Sequence, residues 1–554
     1  MSYYRLMYTR RKFIELLKNV FLISAMSPFL KACTSTGNMN RKLSPNNRIV
    51  IIGSGATALC FGALAAKNGL NVTVLEQHDK LVGGHARALT INGSQFCAGP
   101  QYVWHFNGNT TDIGTNTLKY LGLFDDNPFI SLDKNGFDRV FIGSNAGIDI
   151  PIGLDRFKTV LIQNFPQEDE NISALFYDLI LLHNVSVFLA TKGLNSGSIY
   201  DMSLAVLFSS KFSFIEKYKI LFLSHKTVKD LFDKHSISKK CRSLLYGNSA
   251  IFAENMDSLS AGIFSAAIGN YHQGATFPKK GFEYLFNSLV KVIEENNGKV
   301  LLNKEVVKMV VSNNKVTSAQ CKDGTSYDGD LFLSNLAPRL TFSLLDCCND
   351  YLIDYEPSNS LLCTFISVKG FDVHKKMYGK NFWWNQFSEE IDFDSPDMTK
   401  PPSMLYACSS SSNIYTNQSS NLGQTLTVFS PGTYKQSKQY ALKGKFAYDQ
   451  FKRTCSQMVL EKLNQVFFPG IKNATLNVHS LTPFDIYHEI GAELGNVYGK
   501  KLDVKNIKNV FRPSQKCENL HVACATTSQP GIATAFQTST LLAEKLLGIQ
   551  IAPR

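Results

Sequence analysis

The chain has 554 residues, of which 44% are hydrophobic and 18% are charged, and its formal net charge is +12. This length exceeds what one hydrophobic core usually supports, so we expect two domains. Six basic residues and one acidic residue lie in the first 32 positions, and elsewhere the basic excess is mild and spread along the chain. This distribution disfavours nucleic acid binding and favours weak attraction to anionic membrane surfaces.

The twelve cysteines are widely scattered and form no C-x-x-C pair. Their spacing disfavours a zinc site and a small disulfide framework, and no other metal-ligand cluster is apparent. We therefore predict no metal and expect most cysteines to be buried thiols.

The first 32 residues have the pattern of an export signal. Arg10 and Arg11 precede Phe13, and a short apolar run ends at Leu30. This run is too short to span a membrane, and the paired arginines resemble the twin-arginine signals of bacteria. We predict export by that route, and a basic amphipathic helix is the alternative.

Residues 30 to 33 resemble a lipoprotein processing box, because Ala32 precedes Cys33, although Lys31 is atypical there. Residues 33 to 47 are polar and rich in turn formers, as in a flexible tether. We predict lipidation of Cys33 and a location on the periplasmic side of the bacterial cell envelope, with an incidental cysteine as the alternative.

Residues 48 to 77 show a nucleotide-binding pattern. A β-branched run at 48 to 52 predicts a buried parallel strand, and a helix is predicted at 56 to 68, before Gly69. A second strand is predicted at 71 to 75. In this order the segment predicts a Rossmann-type β-α-β unit.

The glycines between the first strand and the helix have separate predicted roles. Gly53 allows a tight turn, Gly55 lets the backbone approach a diphosphate, and Ala58 is small enough for close packing of helix on strand. Ala56 and Thr57 begin the helix, whose amino-terminal amides favour phosphate. All five belong to the predicted dinucleotide site.

Glu76 follows the second predicted strand, 23 positions after Gly53. A carboxylate at this place accepts hydrogen bonds from ribose hydroxyls and repels a 2′-phosphate, so NADP is disfavoured. Gln77 beside it is included in the predicted site.

A second glycine pair distinguishes FAD from NAD. The run Gly83-Gly84-His85-Ala86 and the later Gly99-Pro100 resemble the extended FAD signature of two-dinucleotide-binding-domain flavoproteins. The resemblance is closest to the phytoene desaturase, carotenoid isomerase and retinol saturase relatives, within the flavin amine oxidase superfamily. It implies that FAD is the cofactor and that this glycine pair lies near the flavin.

Four later segments continue the resemblance in the family's order, at residues 274 to 311, 334 to 342, 481 to 499 and 519 to 548. The first implies that the backbone of Val306 contacts adenine. The last resembles the strand, turn and helix that cap the flavin, and it adds Thr526, Gly531, Ile532 and Ala533 to the implied site.

This sequence departs from the family pattern at several positions. His85 stands where arginine is common, Thr526 where many relatives have an acid, and one residue is added before Gly83. The Pro530-Gly531 turn is also short. These departures concern cofactor binding and redox tuning and not the fold.

The implied fold is α/β, a Rossmann-like FAD-binding domain with an interleaved α+β substrate domain. The FAD-binding domain is expected from residues 46 to 125, 270 to 345 and 500 to 554, and the substrate domain from 126 to 269 and 346 to 499. Residues 151 to 265 are mostly helical by pattern, with apolar stretches at 174 to 190 and 207 to 223. We predict that both stretches face the core, and peripheral contact with lipid is the alternative.

A sheet is predicted from residues 361 to 370 and 424 to 432, with a surface loop or insertion at 409 to 421. These segments fall in the second part of the substrate domain.

The resemblance implies an FAD-dependent oxidoreductase. Its expected substrate is apolar, isoprenoid or lipid-like, and the expected reaction is desaturation, saturation or isomerisation at a carbon–carbon bond. The alternatives are a flavin amine oxidase and a catalytically silent, lipid-tethered scaffold.

Two aromatic clusters are candidates for the substrate wall, with core packing as the alternative for each: Tyr102, Trp104 and Phe106, and Phe382, Trp383, Trp384 and Phe387. His105 is a candidate proton donor with a structural role as its alternative, and the sequence identifies no catalytic residue.

Overall fold

The computed structural model describes residues 43–44, 46–97, 99–125, 127–191, 199–248, 251–346, 355–409, 424–506, 517–528 and 530–551. The predicted export signal, Cys33, most of the tether and nearly all of the predicted 409–421 loop lie outside the described residues.

The described strands are, in chain order, β1 Arg48–Ile52, β2 Asn71–Leu75, β3 Ala88–Ile91, β4 Ser94–Cys97, β5 Phe129–Ser131, β6 Asp138–Ile142, β7 Ile148–Ile150, β8 Thr276–Pro278, β9 Lys299–Leu301, β10 Val306–Ser312, β11 Lys315–Cys321, β12 Ser326–Asp328, β13 Leu331–Ser334, β14 Ser360–Val368, β15 Asn381–Asn385, β16 Met404–Cys408, β17 Gln424–Gly432, β18 Thr475–Leu481 and β19 Leu520–Val522.

The described α-helices are α1 Ala56–Lys67, α2 Ile113–Leu121, α3 Leu154–Asn164, α4 Asp169–Thr191, α5 Ile199–Phe208, α6 Phe214–Leu223, α7 Val228–Lys234, α8 Lys239–Leu245, α9 Ala261–Tyr271, α10 Gly281–Glu295, α11 Pro338–Ser343, α12 Val373–Met377, α13 Tyr434–Ala441, α14 Lys445–Val466, α15 Ile471–Ala474, α16 Pro483–Ile490 and α17 Ile532–Leu547.

A five-stranded parallel sheet has the order β19-β13-β1-β2-β9. Strands β1 and β2 have the predicted bounds, and α1 ends one residue earlier than predicted because Asn68 is its C-cap. Ten consecutive residues of α1, from Thr57 to Ala66, are buried. The helix therefore packs between the sheet and other helices, including α17, where Ser539 Oγ donates to the Thr57 carbonyl oxygen at 2.8 Å.

A seven-stranded sheet has the order β18-β14-β17-β16-β15-β6-β7. Its pairs are antiparallel except β15 with β6, which is parallel. One face borders the main hydrophobic core and the other borders a second core closed by α14. The strands predicted at 361 to 370 and 424 to 432 are β14 and β17.

Seven helices, α3 to α9, occupy the region predicted to be helical. The apolar stretch at 207 to 223 is two helices rather than one, because Ser213 starts α6 with a capping box. Ser213 Oγ accepts from the Glu216 amide at 3.3 Å, and the Glu216 carboxylate accepts from the Ser213 amide at 2.8 Å.

Among the described residues, one stretch, at 166 to 190 and including most of α4, is long and apolar enough to cross a membrane. Half of its most apolar window is buried inside the protein. The helix therefore faces the core on one side only. In the second stretch predicted to face the core, at 207 to 223, Phe208, Phe214, Ile215 and Phe222 are exposed, so that prediction holds only for the other side of these helices.

The nine cysteines in the described part of the chain are free thiols, and eight of them are buried. Within the same residues, no group of three or more His, Cys, Asp or Glu is arranged to hold a metal ion.

Candidate functional site

A cavity of about 1980 Å³ joins the two sheets. At one end its wall is formed by the carboxyl ends of β1 and β2, and at the other by the seven-stranded sheet and helices α4, α5, α6 and α9. The carboxyl edge of a parallel sheet is where ligands bind in open α/β folds. The cavity is much larger than an ordinary small-molecule pocket, which holds about 300–1,000 Å³.

The turn after β1 leaves the amino terminus of α1 open to the cavity. Gly53 has a φ of +87°, a conformation that favours glycine. Gly55 is the N-cap of α1, no side chain caps this end, and the first turn has no acidic residue. Ala56 and Thr57 line the cavity beside it, so the helix offers amides and a positive dipole end to an anion.

The structure gives a second reason why residue 55 is glycine, which the motif does not reveal. A Cβ at this position would lie 2.3 Å from Asn335 Oδ1, and Asn335 Nδ2 donates to the Ala523 carbonyl oxygen at 2.6 Å. Asn335 follows β13, the parallel neighbour of β1. Its position at the carboxyl end of an adjacent strand is the signal that identifies it.

Glu76 lies at the end of β2 and is nearly buried. Its carboxylate accepts from the Ser54 amide at 2.9 Å, from Ser54 Oγ at 2.5 Å and from the His78 amide at 2.8 Å. A carboxylate has about four lone-pair sites, so room for a further donor remains. Gln77 beside it is exposed and also lines the cavity.

The second glycine pair touches the first. Gly83 and Gly84 have φ values of +110° and +55°, and the Gly83 amide donates to the Ser54 carbonyl oxygen at 3.0 Å. A Cβ on Gly84 would lie 3.5 Å from Gly55 Cα. The two turns therefore form one continuous glycine-rich wall.

His85 and Ala86 continue this wall. His85 Nε2 lies 3.1 Å from the Asn496 carbonyl oxygen. Its side chain is open to the cavity, and its separation from bulk solvent lowers the pKa of the imidazole. A neutral imidazole with one N–H donor satisfies that carbonyl. At this position histidine links the glycine pair to the 481–499 segment without blocking the cavity.

The closing segment supplies a second open helix terminus. Thr526, Gly531, Ile532 and Ala533 line the cavity. Gly531 has a φ of +103° and is the N-cap of α17. Among the described residues no side chain caps this helix, and no acid lies in its first turn. The amino termini of α1 and α17 thus border the same cavity.

Val306 and Ala58 differ in their relation to the cavity. Val306 begins β10 and lines the cavity next to Lys304, which the sequence prediction omitted. Ala58 does not line the cavity, because its side chain is fully buried in α1. The packing role predicted for it is the one that the helix shows, and its place among the cofactor-binding residues stays a prediction.

Only some of the aromatic residues predicted for the substrate wall line the cavity. Tyr102, Trp104, His105 and Trp383 line the cavity, and Phe106, Phe382, Trp384 and Phe387 do not. In β15 successive side chains point to opposite faces of the sheet, so Trp383 meets the cavity whereas Phe382 and Trp384 pack in the second core. Phe106 packs against Phe129 and Phe536.

His105 has a φ of +61°, and its Nδ1 lies 3.9 Å from Asp112 Oδ1. This distance exceeds a hydrogen bond. His105 lies in the wall, and no acidic side chain in the described part of the chain is hydrogen-bonded to it.

Sequence reasoning missed a polar cluster behind the aromatic wall. Trp383 stacks on Tyr406, with ring centroids 3.7 Å apart. Near this pair, the buried carboxylate of Asp138 accepts from Tyr271 Oη at 2.9 Å, Asn381 Nδ2 at 3.0 Å and Tyr102 Oη at 3.4 Å. Burial raises the pKa of Asp138 from 3.8 to about 6.

The helical wall of the cavity is mostly apolar. It includes Leu182, Val185 and Leu189 of α4, Val206 of α5 and Ile220 and Leu221 of α6. A wall of this kind accommodates a long apolar molecule and gains stability by removing its surface from water.

Comparison with known proteins agrees with this geometry. Residues 51–113 match the NAD(P)-binding Rossmann-like domain. The chain is 23% identical over 487 residues to all-trans-retinol 13,14-reductase of Danio rerio, covering 81% of this chain and 77% of the relative. It is 21% identical to the lycopene-forming phytoene desaturase of Pseudescherichia vulneris, covering 90% of this chain and 99% of the relative.

Solved structures share the fold. An oxidoreductase from Methanosarcina mazei superposes with a TM-score of 0.60 at 14% identity, covering 90% of this chain and all of that one. Putrescine oxidase bound to putrescine superposes with a TM-score of 0.59 at 13% identity, covering 91% and 99%. At these identities the likeness shows the fold alone.

The comparisons confirm the resemblance to retinol saturase and phytoene desaturase relatives that the motifs predicted. They also confirm the α/β class with a Rossmann-like dinucleotide-binding domain.

Proposed function

We propose that this chain is an FAD-dependent oxidoreductase that acts on a carbon–carbon bond of an apolar, isoprenoid or lipid-like substrate. The observation that carries the proposal is the continuity of the cavity. The same space borders two open helix termini in a glycine-rich wall and an apolar chamber closed by helices and a sheet. A dinucleotide and an apolar molecule would therefore meet inside it.

The described residues fit FAD in several places. The amino terminus of α1 would hold the diphosphate, and Glu76 would accept from the ribose of the adenosine. The backbone of Val306 would lie against adenine. His85, Ala86, Thr526 and the amino terminus of α17 would surround the flavin, and the positive end of α17 favours negative charge on the ring.

When bound, FAD would supply the exchange of hydride with the substrate carbon. The chain's own residues would hold the substrate bond in place and exclude water. Trp383 and Tyr406 provide a flat, rigid surface, and the apolar side chains of α4, α5 and α6 complete the chamber.

The first test is cofactor content. The protein is purified, its visible absorbance is recorded, and the released cofactor is identified by chromatography. We expect FAD, either as isolated or after reconstitution. A protein that takes up no flavin under either condition would overturn the proposal.

The second test concerns the substrate. The flavin-loaded protein is incubated with retinol, with phytoene or with an amine such as putrescine, and products are analysed by mass spectrometry. We expect gain or loss of two hydrogens, or isomerisation, in an isoprenoid. Hydrogen peroxide release with the amine and no change in either isoprenoid would favour an amine oxidase instead.

We further propose that the protein is exported by the twin-arginine route and held at the cell envelope through Cys33. The support is the sequence of the first 33 residues. Replacing Arg10 and Arg11 with lysine should leave unprocessed protein inside the cell, as read by fractionation. Cys33→Ser should prevent lipid labelling, and an unchanged labelling pattern would contradict the tether.

A further inference from the structure

Helices α5 and α6 expose four large apolar side chains, three of them near the corner where the helices meet and the fourth near the carboxyl end of α6. Phe208 is 84% exposed, Ile215 68%, Phe214 53% and Phe222 49%. We call these four side chains the α5–α6 patch. Single exposed apolar residues are common, but a group of this kind marks an interaction surface.

The corner that carries the patch is well anchored. Val206, Phe212 and Ile220 are buried in a small core with Leu181 and Val185 of α4. The capping box at Ser213 fixes where α6 begins. The patch is therefore the outer side of packed helices and not the unburied remainder of a poorly formed core.

The same helices line the cavity with their inner side. Val206, Ile220 and Leu221 belong to the cavity wall, and each is within two positions of a member of the patch in sequence. Val187 of α4 is both part of the wall and partly exposed. The patch thus covers the apolar end of the cavity from outside.

The charges around the patch have one predominant sign. Residues 209 to 226 contain four lysines but only one acid, Glu216. Lys219 pairs with the buried Asp178 at 3.1 Å, and Lys226 Nζ lies 4.0 Å from Asp230, so the excess positive charge of the patch comes from Lys211 and Lys217. Two of the lysines lie against aromatic rings, Lys211 at 5.9 Å from the Phe188 centroid and Lys226 at 5.3 Å from the Phe222 centroid. Long cationic side chains beside apolar ones are suited to the headgroup layer of an anionic bilayer.

We propose that the α5–α6 patch inserts into the headgroup layer of an anionic phospholipid bilayer, so that a lipid substrate passes from the bilayer into the cavity between α4, α5 and α6. The docking surface rests on the exposed residues and charges of this corner. The route of the substrate rests additionally on the proposed function.

A local fluorescence probe tests the docking without interference from the amino-terminal segment. Phe208→Trp is made in the full chain, and Phe446→Trp is the matched control. Phe446 is 78% exposed and lies at the start of α14, beside the second core. The three native tryptophans, Trp104, Trp383 and Trp384, form the same background in both variants.

Both variants are mixed with vesicles of phosphatidylglycerol and phosphatidylcholine that carry bromine on the acyl chains. We expect the emission of the Phe208→Trp variant to shift to the blue and to be quenched, with the emission of the Phe446→Trp variant unchanged. Equal quenching of both variants, or of neither, would overturn the proposal. If the introduced indole of Phe208→Trp already emits at a blue-shifted wavelength without vesicles, the proposal is also overturned, because another protein surface would then cover the patch.

Charge reversal gives an independent measure. The double variant K211E/K217E should bind anionic vesicles at least about thirtyfold more weakly at low salt, since each Lys near such a surface contributes about 1 kcal/mol and each Glu adds repulsion. K443E/K445E, beside Phe446, is the control and should bind like the parent. Equal binding by both double variants would show that the patch lysines do not face lipid.

Failure of docking and failure of the proposed function are distinguishable. If the protein binds FAD and converts a detergent-solubilised isoprenoid but vesicles do not quench the Phe208→Trp variant, only the docking is refuted. If vesicles quench that variant and the protein takes up no flavin, only the proposed chemistry is refuted.

Discussion

The five-stranded and the seven-stranded sheets border the same cavity but contribute to it in different ways. The first supplies backbone: glycine turns, helix amino termini and the carboxyl ends of parallel strands. The second supplies side chains, above all Trp383 stacked on Tyr406. Cofactor binding should therefore depend on backbone geometry, and substrate binding on side-chain choice.

The largest expected effect tests whether substrate binding depends on side chains of the seven-stranded sheet. Trp383→Ala and Trp384→Ala remove neighbouring, buried indoles from opposite faces of β15. Each should lower the free energy of unfolding by about 3–5 kcal/mol, as for other buried large-to-Ala changes. Only Trp383→Ala should also weaken isoprenoid binding, because Trp383 alone of the two lines the cavity.

Urea denaturation and a binding titration in the flavin-loaded protein measure these two quantities. If Trp383→Ala does not fold, Trp383→Phe and Trp384→Phe replace the pair with smaller losses. Equal loss of substrate binding in both variants would contradict the division between the two faces.

A slightly smaller effect tests whether cofactor binding depends on the backbone turns of the five-stranded sheet. Gly55→Val places a Cβ where only 2.3 Å separates it from Asn335 Oδ1. Overpacking of this kind costs about 1–3 kcal/mol in the free energy of unfolding. A side chain at this position also keeps the backbone from approaching the diphosphate, so FAD affinity should fall by about tenfold or more. Gly262→Ala is the control, since its Cβ would make only an ordinary 3.6 Å contact with Ser260 Oγ.

Flavin titration followed by fluorescence measures the affinity, and circular dichroism shows that each variant is folded. Unchanged FAD affinity in a folded Gly55→Val protein would mean that the β1 turn does not hold the dinucleotide.

Much of the backbone half was predictable from the sequence, because its signals are local. Gly53, Gly55 and Glu76 occur at fixed spacings that one β-α-β unit requires. The structure brings them together as expected, with β1 and β2 in the predicted positions. What the motif could not reveal is that Gly55 also accommodates Asn335, which is 280 positions away.

The side-chain half was not predictable for a physical reason. All five residues of β15 are buried, so no alternation of polar and apolar residues shows which of Phe382, Trp383 and Trp384 meets the cavity. The stacking with Tyr406 depends on the register of β15 against β16. Asp138 meets Tyr271 and Asn381 through packing between segments more than 100 residues apart.

The buried carboxyl of Asp138 gives a third prediction, through pH. Its pKa is raised from 3.8 to about 6 by burial, so the native state binds the proton more tightly than the unfolded state. Stability should then fall as pH rises from about 4 to about 6, with about 3 kcal/mol as the upper bound. Asp138→Asn cannot ionise and should lack this fall.

Urea denaturation between about pH 4 and pH 7 measures the difference between parent and variant. Burial also raises the pKa of Glu254 to about 7 and lowers that of His272 to about 4. Both groups are present in parent and variant, so their contributions cancel in the difference. Parallel curves for the two proteins would show that Asp138 keeps an ordinary pKa.

The smallest expected effect concerns α16, which connects the seven-stranded sheet to the cavity. Thr482 is its N-cap: Thr482 Oγ1 accepts from the Asp485 amide at 3.3 Å and lies 2.5 Å from Tyr448 Oη. Thr482→Ala should cost about 1 kcal/mol in the free energy of unfolding, as for other N-caps. FAD affinity should not change, because Thr482 is not among the residues of the cavity wall.

Thr482→Ser is the control, since serine keeps the hydroxyl and should restore most of the lost stability. Tyr448 Oη also lies 2.9 Å from Asp485 Oδ1, so a double-mutant cycle with Tyr448→Phe separates the cap from this contact. If Thr482→Ala weakened FAD binding, the seven-stranded sheet would be coupled through α16 to the glycine-rich wall that is proposed to bind FAD. The two sheets would then contribute separate parts of the cavity wall, but the free energy of FAD binding would depend on both.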